Sequence, residues 1–300
     1  SAILGFVNTL EDVLKKENPT HIGIAFDPKG PTFRHEAYEQ YKAQREETPE
    51  VIRESVPVIK EFIKAYNIPI FEVSGYEADD VIGTLAKQAE KRGIITYMMT
   101  PDKDYGQLVS ETTFIYRPKY GDKEFEVMGI ERVKEKFGIE TTAQVIDLLG
   151  LMGDSSDNIP GCPGVGEKTA QKLIAQFGSI ESLLERTSEL KGALKTKVEE
   201  NKEKILFSKF LATIKTDVPV ELDMELLKRE APDEEKLTTL LDFYELRALK
   251  ERVKKTNLAP SLFDETPEVA TTPSHGNKKK EPDNTPIQGS LFDFFPTDYQ

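Results

Sequence analysis

Four short stretches of this chain concentrate carboxylates: Asp27 in HIGIAFD, Glu77, Asp79 and Asp80 in GYEADD, Asp102 and Asp104 in TPDKD, and Asp154 and Asp157 in GDSSDN. Acids gathered in one place repel each other and resist ionising unless cations neutralise them. Clusters that offer only oxygen suit hard Mg²⁺ or Mn²⁺ rather than zinc, which favours Cys and His. The chemistry open to them is phosphoryl transfer. Two ions roughly 4 Å apart polarise a phosphate, activate a water and steady the departing oxygen. No His or Cys nucleophile is required; the three histidines are scattered, and His35 reads as a surface residue.

Short strands and helices must bring those acids together. His21–Phe26 is an apolar run ending at Asp27, Ile68–Val73 precedes the Glu77 group, and Ile94–Met99 precedes Asp102. Thr113–Tyr116 reads as a fourth strand. Between them, residues 1–16 carry apolar side chains at helical spacing and stop at Asn18-Pro19. Thr48-Pro49-Glu50 opens a helix to about Tyr66, with a bend expected at Pro57. Ala78–Lys91 is a helix closed by Gly93. Strands alternating with helices predict an α/β fold with a mostly parallel sheet and flanking helices. Ligands of such sheets bind beyond the carboxyl ends of the strands, where three of the four clusters fall.

Glu77 and Asp80 stand three apart and share a helix face, and Asp154 and Asp157 repeat the spacing. Any single pair is also explained as a helix cap. Chance capping does not place three clusters on one sheet edge. After about residue 140 helical patterns follow one another to Val253, which predicts a second, all-helical domain over 141–255 behind a core over 1–140. Residues 256–300, rich in Pro, Thr, Ser, Asn and Lys, read as a disordered linker.

The formal charge of -13 argues against a nucleic-acid partner only as a sum. The tail from residue 256 holds seven acids against Lys278, Lys279 and Lys280, and bound divalent ions offset more. Cations and aromatics interleave over 29–45, where Lys29, Arg34, Lys42 and Arg45 alternate with Phe33, Tyr38 and Tyr41. That pattern suits a single strand, with cations on phosphates and rings on bases. It equally suits a solvated helix whose tyrosines pack on the core. A glycine-rich turn through Gly161, Gly164, Val165 and Gly166 opens into a helix carrying Lys168, Thr169 and Lys172. Such a turn approaches phosphates closely and grips a duplex backbone without reading bases. No apolar run reaches the roughly 20 residues of a membrane span. The single Cys162 and the lack of a secretory start fit the cytoplasm.

FDPKGPTFRHEAYEQYKAQR, GYEADDVIGTLAKQAEKRG, TPDKDYGQL and LMGDSSDNIPGCPGVGEKTAQKLI together resemble the 5′ nuclease (5′→3′ exonuclease) domains of the flap endonuclease family, over residues 1 to about 255. The resemblance implies a PIN-like core, with a helical arch over 29–66, followed by a helix–three-turn–helix module. It implies removal of 5′ flaps and RNA primers in replication and repair, by a monomer acting on flapped or nicked DNA with two Mg²⁺ or Mn²⁺ ions. Glu77, Asp80, Asp102 and Asp104 would line the first ion, with Asp27 and Asp79 beside it, and Asp154 and Asp157 would complete the second. Lys42 and Arg45 would act on the scissile phosphate, and Gly164, Val165 and Gly166 would hold duplex phosphates, together with K⁺. The family opens with a further strand that also carries a metal-binding aspartate. This chain opens at Ser1 in the following helix, so reduced cleavage with retained binding to branched DNA is expected. Gln288–Phe292 resembles peptides that bind the bacterial sliding clamp.

Two other readings follow from the same residues. A haloacid-dehalogenase-like phosphatase would need a second aspartate two residues after Asp27, where Lys29 stands. A non-enzymatic scaffold would keep the fold and bind branched DNA without cutting it.

Overall fold

The computed structural model describes residues 2–118 and 124–257. In chain order its elements are α1 (Ala2–Lys16), β1 (Ile24–Ala25), α2 (Phe33–Ala37), α3 (Glu50–Ala65), β2 (Ile70–Phe71), α4 (Ala78–Lys91), β3 (Thr96–Met99), β4 (Thr113–Pro118), β5 (Phe125–Met128), α5 (Ile130–Phe137), α6 (Val145–Met152), α7 (Glu167–Phe177), α8 (Ile180–Glu185), α9 (Gly192–Glu200), α10 (Lys202–Ala212), α11 (Met224–Leu227), α12 (Glu234–Phe243) and α13 (Arg247–Asn257). The α/β start and the helical remainder agree with the sequence reading. The tail from residue 258, with the clamp-like peptide, lies outside the described residues.

The chain packs as two compact units, each gathered from separate stretches of sequence. Among the described residues, one gathers residues 2–20, Pro49–Asn67 and residues 229–257; the other holds His21–Thr48 and Ile68–Lys228. In the first, α1, α3, α12 and α13 pack together through Phe6, Val7, Ile59, Phe62, Ile63, Leu237 and Leu241. The long-range packing of these amphipathic helices, not their order in sequence, sets the unit. The expected arch is therefore shared between units, and within 29–66 only α2 and α3 are helical, residues 38–48 forming turns and extended chain. Helix α3 begins at Glu50 behind Pro49, one residue later than a Thr48 cap would place it, and runs on through Pro57.

The second unit holds the strands. They lie in two small sheets rather than one: β1 pairs in parallel with β2, and β3, β4 and β5 form a mixed sheet in which β5 runs antiparallel. Helix α4 packs against both β1 and β3. Its alternation of Val81, Gly83, Thr84 and Ala86 buries one face, and Gly93 ends it at φ +68°. The unpredicted β5 is held by register with β4 and by stacking of Phe125 on Tyr116 at 4.6 Å. Behind the sheets a core of Met98, Leu108, Ile115, Leu148, Leu149, Leu151, Ile174 and Ile180 continues into the helices without a break.

The connection from α6 to α7 is the tightest backbone in this unit. Asp154 and Ile159 exchange N–H···O bonds of 3.0 and 2.8 Å, closing a loop with Asn158 at φ +58°. Gly153 and Gly161 adopt φ +73° and +63° and touch each other, so that a Cβ on Gly161 would stand 2.4 Å from the Gly153 nitrogen. No side chain fits there without moving the loop that carries Asp154 and Asp157. Gly161→Ala is expected to lower the unfolding free energy by more than about 2 kcal/mol. Urea denaturation checks this, and an unchanged midpoint would contradict it.

Candidate metal centre

Each acidic cluster is set by a local backbone device. Beyond β1, Asp27 is exposed and its Oδ1 accepts from the Ala78 N–H at 2.7 Å, at the start of α4. Beyond β2, Glu77 is the N-cap of α4, and Asp80 reaches back to its N–H at 3.1 Å. Beyond β3, Asp102 caps a short 3₁₀ turn (Lys103–Leu108) by accepting from the Asp104 N–H at 2.8 Å. In the α6–α7 loop, Asp154 Oδ1 accepts from both the N–H and the hydroxyl of Ser156. Seven of these eight acids form one charged assembly, from Glu77, Asp79 and Asp80 through Asp157 to Asp102, Asp104 and Asp154. Asp27 is joined to it only through the α4 backbone.

Three cations sit among the acids. Arg34 is 1% exposed and uses all five of its N–H donors. Its Nη1 and Nη2 grip Asp80 at 2.8 Å each, Nη1 also meets Glu77, and Nε and Nη2 donate to the carbonyls of Leu211 and Thr213 at 2.9 and 2.8 Å. Lys42 pairs with Glu77, and Arg45 with Asp157. Tyr41 lies buried between, its hydroxyl 3.1 Å from Glu77 and 3.5 Å from Asp157.

This placement revises several sequence expectations. Arg34 and Tyr41 do not face outward for DNA; both are inside the acidic assembly. Asp80 accepts two hydrogen bonds on each oxygen, from Arg34, Lys215 N–H and Glu77 N–H, so its lone pairs are filled. In the ion-free fold it neutralises Arg34. Tyr38 packs edge-on against Phe207 at 5.5 Å. His35 is no free surface group either: it completes a capping box with Thr32 at the start of α2.

The oxygens left over are the informative ones. Asp79 Oδ1, Asp104 Oδ1 and Asp154 Oδ2 are buried without any hydrogen-bond partner. Buried polar atoms in folded proteins are normally satisfied. Burial, then Glu77 and Asp80, hold the Asp79 carboxyl well above the usual range, and burial, then Asp102 and Asp154, do the same for Asp104. Burial pushes Asp102 up to about 6, against the Asp104 N–H it accepts, with Asp157 adding to the rise. Glu77 moves the other way: Lys42 and Arg34 outweigh its burial. Glu77, Asp79 and Asp80 bring carboxylate oxygens within 4.8 Å of one another. An all-oxygen set with orphaned, proton-hungry carboxylates fits a hard divalent cation.

The glycine turn follows Asp154 and Asp157 in the same connection from α6 to α7. Gly164 at φ +75° and Gly166, the N-cap of α7, are exposed, as are Lys168 and Lys172, while Val165 is buried and Thr169 half-buried. Lys197 Nζ approaches Gly164 so closely that a Cβ there would lie 2.6 Å from it.

Residues 1–138 match the 5′-3′ exonuclease N-terminal resolvase-like domain, and residues 140–235 match the 5′-3′ exonuclease C-terminal SAM fold. The chain belongs to the 5′-3′ exonuclease family. DNA polymerase I of Bacillus caldotenax is 42% identical over 89% of this chain and 30% of its own length. DNA polymerase I of Bacillus subtilis is 45% identical over 84% of the chain and 29% of its own length. The chain thus spans about a third of these relatives. Among solved structures, the T5 5′-exonuclease with bound zinc superposes at TM-score 0.60 and 20% identity, covering 80% of this chain and 90% of that one. The catalytic core of Rad2 with DNA substrate superposes at 0.56 and 18%, covering 86% and 85%. These likenesses establish the PIN-like fold with its helical continuation.

Raised carboxyl pKa values give the ion site a pH signature. Unfolded aspartates release their protons near pH 4, whereas in the fold Asp102 keeps its proton to about pH 6 and burial among other acids holds Asp79 and Asp104 well above the usual carboxylate range. In that window the unfolded chain binds fewer protons, so these groups lower stability as pH rises. A cation that needs them ionised restores it. The melting-temperature gain on adding Mn²⁺ is therefore expected to grow between about pH 5 and about pH 7.5. Calorimetric melts at both values test this; an equal gain at both would count against the site. Asp104→Asn is expected to raise the ion-free melting temperature and to shrink that gain.

Proposed function

We propose that this chain is a metal-dependent 5′ nuclease domain that hydrolyses phosphodiester bonds at 5′ flaps and RNA primers during DNA replication and repair in the cytoplasm. The observation that carries this reading is the set of buried oxygens on Asp79, Asp104 and Asp154 that accept no hydrogen bond, surrounded by further acids; that of Asp79 has Arg34 Nη1 at 4.0 Å. It agrees with family membership and with the DNA-bound state of the Rad2 core.

Asp79, Asp104 and Asp154, with Glu77, Asp102 and Asp157, are the groups that would hold two Mg²⁺ or Mn²⁺ ions. Such ions supply charge stabilisation at the phosphate and lower the pKa of the attacking water. Everything else is done by the chain. Lys42 and Arg45 exchange Glu77 and Asp157 for the scissile phosphate when the strand enters, bringing two positive charges to the place where charge develops. Arg34 keeps its carboxylates, holding the first turn of α4 still. The exposed turn at Gly164 and Gly166, with Lys168 and Lys172, grips duplex phosphates with backbone N–H groups and lysines, a site suited also to K⁺. The clamp-like peptide Gln288–Phe292 would tether the domain to the replication machinery.

A second reading has one observation behind it. Arg34, Lys42 and Arg45 already neutralise Glu77, Asp80 and Asp157, which reduces the demand for ions and would suit a module that holds branched DNA without cutting it.

A labelled duplex with a 5′ flap separates the two. Cleavage with Mg²⁺ that stops on chelation supports the nuclease; flap binding in a gel shift, with neither cleavage nor Mn²⁺ uptake, supports the scaffold. Lys42→Ala is expected to slow cleavage by about 10²-fold or more while flap binding changes little. Wild-type rates in that variant would remove Lys42 from the mechanism.

A further inference from the structure

We infer that Arg34 is a positioning residue that sets which phosphodiester is cut, an inference that rests on the nuclease reading above. Its guanidinium joins two parts of the same unit. On one side it holds Glu77 and both oxygens of Asp80, in the first turn of α4. On the other it caps the end of α10, accepting partners being the carbonyls of Leu211 and Thr213.

The joint is extended by a row of polar side chains. Asp80, Thr84 and Gln88 stand one turn apart on α4 and accept from the N–H groups of Lys215, Val218 and Leu222 at 2.8, 3.1 and 2.7 Å. Gln107 holds the same helix end from the 3₁₀ turn beside Asp104, donating to Ala212 and accepting from Ile214. Helix α10 lies along α6, and α6 runs straight into the loop and turn that lead to α7. The hydrogen bonds of Arg34 thus register the metal-binding acids against the element that grips the duplex.

That register has a length scale. Neighbouring phosphates of one strand are spaced by about 3.4 Å along the duplex axis. A shift of that size between acids and grip presents the next bond to the ions. A planar fork with five donors permits little such shift; a lysine, with a single ammonium on a flexible stem, permits more.

The test compares wild type with Arg34→Lys, which keeps the charge and loses the fork. On a flap duplex of defined length, wild type is expected to cut at one dominant position and the variant to spread its products over neighbouring positions. Calorimetric titration is expected to show Mn²⁺ bound about tenfold more weakly by the variant, as when an outer partner of a ligand is lost. A folded variant that cuts at the wild-type position alone and binds Mn²⁺ unchanged overturns the inference. If Arg34→Lys does not fold, Gln107→Ala loosens the same helix end; spread products support the joint, and an unchanged position overturns it. Should wild type bind Mn²⁺ but leave every flap intact, the nuclease reading fails on its own. The Arg34→Lys affinity then decides whether Arg34 organises the acids: unchanged affinity says that it does not.

Discussion

Seven acids share one interior, and mutual repulsion is the constraint around which the rest of the second unit is arranged. Taking an isolated carboxylate out of water is costly, and taking several together multiplies the cost. The chain meets it in three ways. Arg34 is buried as a permanent counter-charge, with every donor satisfied, and grips both oxygens of Asp80, which is 0% exposed. Lys42 and Arg45 are partly exposed counter-charges at the rim. Asp79, Asp102 and Asp104 hold on to protons, their carboxyl pKa values raised by burial and by neighbouring acids.

These three answers differ in what they leave available. A bidentate guanidinium fills the lone pairs of its carboxylate and closes it to further ligands. Glu77, bound by Lys42 and Arg34 through single contacts, can exchange one partner and keep the other. Asp104 Oδ1 and Asp154 Oδ2 have no hydrogen-bond partner to exchange, so in the proposed reaction a cation would meet them directly. The order of readiness among the acids therefore follows from who already holds them, not from their number.

That distinction marks the limit of what the sequence conveyed. The clusters stood out because carboxylates fall directly behind apolar strand-like runs, and the ends of α4 could be read from Glu77, Lys91 and Gly93. Strand existence was legible; strand length was not, because apolar runs such as His21–Phe26 continue past the two residues that pair. The antiparallel β5 was missed since Phe125–Met128 is short and its partner choice depends on β4. Arg34 looked like its neighbours Lys42 and Arg45, all cations interleaved with aromatics. What separates it is the pair of carbonyls at Leu211 and Thr213, more than 170 residues away in sequence. No local pattern encodes a partner at that distance. The same holds for the first unit, where α1 and α3 find α12 and α13 only through burial of Phe6, Phe62 and Leu241.

The division of labour between acids and glycine turn also resolves the charge of this protein. A net charge of -13 repels nucleic acid at long range, and the acidic assembly taken alone repels a phosphate at short range. Binding in the proposed reaction must then begin where charge is not acidic, at exposed backbone N–H groups and lysines around Gly164, Gly166, Lys168 and Lys172. Only when cations fill the partnerless oxygens does the acid side become attractive to a phosphate. Lys42 and Arg45 fit both conditions. They are paired with carboxylates when no strand is present, and they sit at the rim where a strand would enter. In the proposed reaction, duplex grip, cation loading and release of the two rim side chains would be coupled through charge, while Arg34, the one cation of the three that stays in place, keeps the acids in register through its hydrogen bonds.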